Sequence, residues 1–146
     1  MTEPPNNPPP WLPSGARRWV LASMTAWSAV LLVKLYPFAF HTAGSGGESL
    51  LSLSARPNMT LLWQIALFVP LGLVEAQLVR RLLGGFSAAT LLLVVLDAGL
   101  LSLVGETAQW WIPHRTSSVI DVTANALGAV VGYLLCQHLS DLRPRP

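Results

Sequence analysis

Four apolar stretches, each long enough to cross a lipid bilayer, dominate this chain. They run over about 19–40, 60–79, 86–112 and 119–139. A helix needs about 20 apolar residues to span the hydrocarbon core. The expected fold is therefore all-α: a polytopic membrane protein of four transmembrane helices. Charge supports this reading. Only 11% of the 146 residues are charged, whereas a soluble domain carries roughly a quarter. The length suits one domain.

The flanks and loops are read from the same principles. Residues 1–17 are proline-rich and have little to bury, so they are expected to be a disordered tail. The run after Arg17 and Arg18 is too long for the apolar region of a cleaved signal peptide. Residues 18–140 form the expected transmembrane domain, and 141–146 a second tail. Glycines in the segment after His41 mark a loop, with a short interfacial helix expected over Glu48–Ser54.

Arginine placement predicts orientation. The N-terminal flank, the second loop and the C-terminal tail hold Arg17, Arg18, Arg80, Arg81, Arg143 and Arg145. The opposite side holds Arg56 and Arg115. This bias predicts that both termini are cytoplasmic. Trp19 then falls at the inner interface and Trp63, Trp110 and Trp111 near the outer one, where indoles concentrate. Trp27 falls within a span, as a packing or lipid-facing side chain. The basic residues bracket spans rather than forming a patch for nucleic acid. The single cysteine, Cys136, excludes an intrachain disulfide and reads as a packing residue.

Several polar residues interrupt the apolar runs, and ionisable groups in hydrocarbon are costly enough to mark function. Ser102, Glu106 and Gln109 share one face of the third helix by their i, i+4, i+7 spacing. Asp121, Asn125, Gly128 and Gly132 share one face of the fourth. Gln64 lies on a face of the second, whose run contains Pro70 and Gly72. Counting about 1.5 Å per residue, Glu106, Asn125 and Gln64 lie at similar depths of roughly 6–9 Å below the outer surface. Arg115 and His114 lie in the short loop above them, with Arg115 placed to offset a carboxylate.

The spacing of Gly128 and Gly132 lets backbones approach closely. Pro70 and Gly72 are assigned to helix packing as well, Pro70 as a kink. Thr116, Ser117 and Ser118 are candidate caps for the fourth helix. Lys34 is close enough to the end of the first span to snorkel outward. Glu75 is expected to pair with Arg80 or Arg81. Asp97 points away from Glu106 and is read as a helix–helix hydrogen-bonding group. His41 and His138 are read as interfacial.

The ordered run Ser102, Glu106, Gln109, Arg115, Asp121, Asn125, Gly128 and Gly132 resembles the VanZ-like family of bacterial membrane proteins. Upstream, Phe68, Pro70 and Gly72 match that family's Phe-x-Pro-x-Gly element. The family usually has an asparagine four residues before the phenylalanine, where this chain has the longer amide Gln64. The resemblance covers about residues 60–133. It implies a multi-pass protein of the bacterial inner membrane and cell envelope. The family's namesake is associated with resistance to the glycopeptide teicoplanin, while most relatives have no assigned activity.

Three functional readings follow. In the first, Gln64, Ser102, Glu106, Gln109, Arg115, Asp121 and Asn125 line a pocket near the outer leaflet that binds a lipid-linked or glycan-linked envelope precursor. Arg115 is then available for phosphate. In the second, the protein is an intramembrane enzyme with Glu106 as acid or base and Asp121 or Arg115 as partner. In the third, the polar residues only fix helix packing. No cofactor, metal or nucleic acid is expected. The lipid bilayer is the expected partner, and the sequence does not indicate an oligomeric state.

Overall fold

The computed structural model describes residues 15–36, 38, 58–109, 111–112 and 118–142, the side chains of 58 and 59 excepted. The first fourteen residues, the proposed interfacial helix, His41, Trp110, His114, Arg115, Thr116, Ser117 and the last four residues lie outside this set. The described residues form four helices: α1 (Ala16–Leu35), α2 (Asn58–Leu83), α3 (Ala88–Gln109) and α4 (Val119–Asp141). Each contains a stretch long and apolar enough to cross a membrane. The protein is an all-helical, four-span membrane protein.

The helix boundaries have local causes. Helix α1 stops at Leu35, earlier than the apolar run suggests, because Tyr36 is extended (φ −61°, ψ 134°). A residue before proline, here Pro37, is pushed out of the helical region. Helix α2 runs past position 79 to Leu83 and is closed by Gly84 at φ 83°, a left-handed conformation that glycine adopts readily. Helix α3 ends at Gln109, three residues before the apolar run does. Helix α1 includes residues 16 and 17, which the sequence assigned to the tail.

Helix α4 starts with Ser118, whose Oγ accepts from the Ile120 N–H at 3.2 Å. Removing that cap in Ser118→Ala is expected to cost about 1 kcal/mol, measurable as a lower unfolding midpoint in detergent.

Helix α4 packs most tightly on α2, and glycines make this approach possible. A Cβ on Gly72 would lie 2.6 Å from the Ala129 Cα. One on Gly132 would lie 2.7 Å from the Leu73 N, and one on Gly128 2.9 Å from the Phe68 Cβ. Backbone meets backbone here, the close packing that small residues allow between membrane helices. Pro70, expected to serve helix packing, is exposed on α2. The helix continues unbroken through it.

Helix α1 lies against α2 and α3 and away from α4. The buried apolar core includes Val30, Phe68, Leu71, Val94, Leu101 and Tyr133. Leucines on α3 and α4, including Leu92, Leu96, Leu100, Leu127 and Leu134, point outward and are half-exposed. Such an outer face suits lipid rather than water.

At the end of the bundle holding the start of α3, Tyr133 closes a small polar knot. Its hydroxyl lies 2.8 Å from Thr90 Oγ1, donates to the Ser87 carbonyl at 3.0 Å and accepts from the Ser87 N–H at 3.1 Å. Ser87 and Thr90 cap each other's N–H groups at the start of α3. Tyr133→Phe leaves these groups with fewer partners and is expected to cost about 1–2 kcal/mol, read by thermal unfolding.

Candidate functional site

The opposite end of the bundle gathers the last turn of α1, the first turns of α2, the end of α3 and the start of α4. Its centre is Glu106, which is fully buried. Glu106 Oε1 receives the Lys34 ammonium at 2.7 Å. Glu106 Oε2 accepts the Ser118 N–H at 3.1 Å. One carboxylate thus joins α1 and α3 to the N-terminus of α4, where negative charge also meets the positive end of the helix dipole.

Lys34 does not snorkel. Its side chain is only 2% exposed, its ammonium sits 5.7 Å from the Phe68 ring centroid, and it turns inward to Glu106. An acid on a neighbouring helix offers a better partner than a distant interface, because an unpaired buried charge is the costlier state. Gly105 makes the path possible: a Cβ there would lie 2.9 Å from the Lys34 Cδ. Sequence reasoning missed both residues. The available signal was a lysine inside an apolar span, which is by default a functional candidate with a partner.

Gln109 completes the layer. Its Nε2 donates to the Lys34 carbonyl at 2.9 Å, satisfying one of the C=O groups left open at the end of α1. This bond fixes which way the amide faces. Gln109 Oε1 is buried and has no hydrogen-bond partner among the described residues. A buried acceptor without a partner costs about 1–3 kcal/mol, so its presence calls for an explanation.

Asn125 and Asp121 are fully buried on α4. Asn125 Nδ2 donates to Ser102 Oγ at 2.6 Å, tying α4 to α3. Asp121 lies in the first turn of α4, a favourable place for a carboxylate. Arg115 lies outside the described residues. Because α3 ends at Gln109, Glu106 is about 4–5 Å from the helix end by the helical rise, shallower than the apolar run implied.

Gln64 is half-buried and does not enter the Glu106 layer. It lines a cavity of about 450 Å³ with Val33, Lys34, Thr60, Trp63, Leu67 and Gln109. Trp63 is 76% exposed at its edge. The polar layer and this cavity meet at Lys34 and Gln109.

Glu75 and Asp97 form a separate group. Ser23 Oγ donates to Glu75 Oε1, and Trp27 Nε1 donates to Asp97 Oδ2 at 3.0 Å. Trp27 therefore holds a hydrogen bond between α1 and α3. Glu75 is buried beside α1 rather than paired with Arg80 or Arg81. Arg80 instead donates to Gln77 at 3.1 Å and lies over the Phe86 ring. The two carboxylates border one groove. Among the described residues, no group of three or more histidine, cysteine or carboxylate side chains could hold a metal ion.

No curated protein and no solved structure matches the chain. One family does, over nearly the whole sequence: residues 11–140 match VanZ/LLP1. The matched region holds all four helices, both glycine contacts of α4 and the Glu106 layer, and the four-span chain belongs to the VanZ/LLP1 family.

Proposed function

We propose that this protein sits in the bacterial cytoplasmic membrane with both termini inside, and binds a lipid-linked or glycan-linked molecule of the cell envelope. The observation that carries this reading is the cavity beside the Glu106 layer, lined by Thr60, Gln64 and Gln109 together with apolar side chains. The six arginines on the termini and the α2–α3 loop against two on the other side support an outer-leaflet position for this end of the bundle. Such a cavity combines apolar walls with a few fixed polar groups, the usual composition of a small-molecule site.

A packing role has its own support. Asn125–Ser102, Lys34–Glu106 and Gln109–Lys34 each join two helices. Glu106 as a catalytic acid or base has less, since both its oxygens already hold donors.

The readings separate in cells that depend on the protein for a measurable phenotype, teicoplanin susceptibility being the first to score. Gln64→Leu, Asn125→Ala and Arg115→Ala are compared for folded yield and for that phenotype. The binding reading expects Gln64→Leu to keep its folded yield and lose the phenotype. If phenotype falls only in step with folded protein, the residues act through packing alone.

A further inference from the structure

We infer that the cavity between α1 and α2 takes the uncharged, hydroxyl-bearing headgroup of a membrane lipid, such as a glycosyl diacylglycerol, rather than a phosphate. The inference rests on the binding reading above and deepens it by naming the ligand's chemistry.

Charge is the first consideration. Lys34 is the one cation among the described lining residues, and its ammonium is held by Glu106 at 2.7 Å. It is not available to a phosphate. Among the described residues the remaining polar walls are Thr60, Gln64 and Gln109, a hydroxyl and two amides. Uncharged groups of this kind recognise hydroxyls and offer an anion no counter-charge.

The second consideration is the direction of the hydrogen bonds. Gln109 is 1% exposed and its Nε2 is committed to the Lys34 carbonyl, so it forms a closed floor rather than an open contact. The half-buried Thr60 and Gln64 are the polar lining groups open to a ligand, and each both donates and accepts. A sugar or glycerol hydroxyl donates and accepts, whereas an ionised phosphate only accepts. Gln64 adds an amide that bonds a neighbouring hydroxyl through both its oxygen and its nitrogen. The indole of Trp63 supplies an apolar wall against which the C–H face of a sugar ring can rest.

The third consideration is the anchor. Val33 and Leu67 line the same cavity, and Val33 is 59% exposed on the outer side of α1. They extend the site toward lipid, which favours a headgroup delivered on acyl chains over a free sugar.

The test uses the full chain in phosphatidylcholine nanodiscs, with binding read by native mass spectrometry. The probes are monoglucosyl diacylglycerol, phosphatidylglycerol and free glucose. The expected result is saturable binding of the glucosyl lipid, about tenfold tighter than phosphatidylglycerol, with no binding of glucose. Gln64→Leu is expected to weaken the glucosyl lipid about tenfold, the effect of losing one or two hydrogen bonds, with its unfolding midpoint unchanged. Gln64→Asn restores part of the affinity. Gln109→Leu serves as the second variant, compared at matched folded fraction. Phosphatidylglycerol binding as tightly as the glucosyl lipid, with loss in Gln64→Leu, overturns the neutral-headgroup inference and leaves the binding reading standing. Tight binding of free glucose overturns the lipid assignment. Absence of any binding sensitive to Gln64 or Gln109 overturns both.

Discussion

Gly132→Leu is expected to prevent folding altogether, and Gly132→Ala to cost more than about 3 kcal/mol, above the usual 1–3 kcal/mol range for overpacking. The reason lies in what the new atoms would meet. Around Gly132 the neighbours are the Val69 carbonyl oxygen, the Leu73 N and the Gly72 carbonyl carbon, all of them backbone. A flexible side chain can move aside, but a hydrogen-bonded helix backbone cannot without separating α2 from α4 along their length. Separation would also release the contacts of Gly72 with Ala129 and of Gly128 with Ile65. The measurement is folded yield and thermal unfolding in detergent. Gly99→Ala is the control, because a Cβ there meets nothing within 4 Å; its midpoint should stay or rise slightly, as alanine is the better helix former. Equal effects at Gly132 and Gly99 would mean that α2 and α4 are not in backbone contact.

The second large effect is expected at the buried ion pair. Lys34→Met should cost about 3–5 kcal/mol, since it leaves the fully buried Glu106 carboxylate without its ammonium partner. Glu106→Gln should cost a similar amount, because the Lys34 ammonium is equally buried. The informative variant combines both. With neither charge present there is no desolvated ion to compensate, and the remaining amide oxygen still accepts from the Ser118 N–H. The double variant should therefore be more stable than either single one. A double-mutant cycle run by chemical unfolding in detergent should give a coupling of at least about 2 kcal/mol. Costs that simply add would show that Lys34 and Glu106 do not interact in the folded protein. This pair also decides how the cavity treats anions. In Glu106→Gln the ammonium is released, so that variant should gain affinity for phosphatidylglycerol if it stays folded.

Much of the architecture follows from local rules. Four apolar runs mean four helices, because a chain in hydrocarbon has few other ways to satisfy its backbone. Helical periodicity assigns Ser102, Glu106 and Gln109 to one side of α3, and Asp121, Asn125, Gly128 and Gly132 to one side of α4; all seven are buried. Those are statements about single helices, where a 3.6-residue repeat is sufficient. Boundaries were less legible, since hydropathy does not register that Tyr36 precedes a proline or that Gly84 takes a left-handed turn.

Everything that depends on which helix meets which was settled by packing. A lysine near a span end can reach water or turn inward, and the sequence alone favours water. The turn inward exists because α3 places Glu106 beside α1 and Gly105 leaves room for the lysine stem. Asp97 and Glu75 are far apart in sequence, yet both border one groove because α1 supplies Trp27 and Ser23 to them. Pro70 and Gly72 belong to one motif in the sequence, but only Gly72 reaches α4 while Pro70 is exposed. Sequence by itself determined the number of helices, their apolar character and the polar stripes they carry, because each is a property of one segment. Tertiary structure alone decided that Lys34, rather than any residue of those stripes, holds the carboxylate at the centre, because a buried charge takes its partner from whichever helix is packed against it.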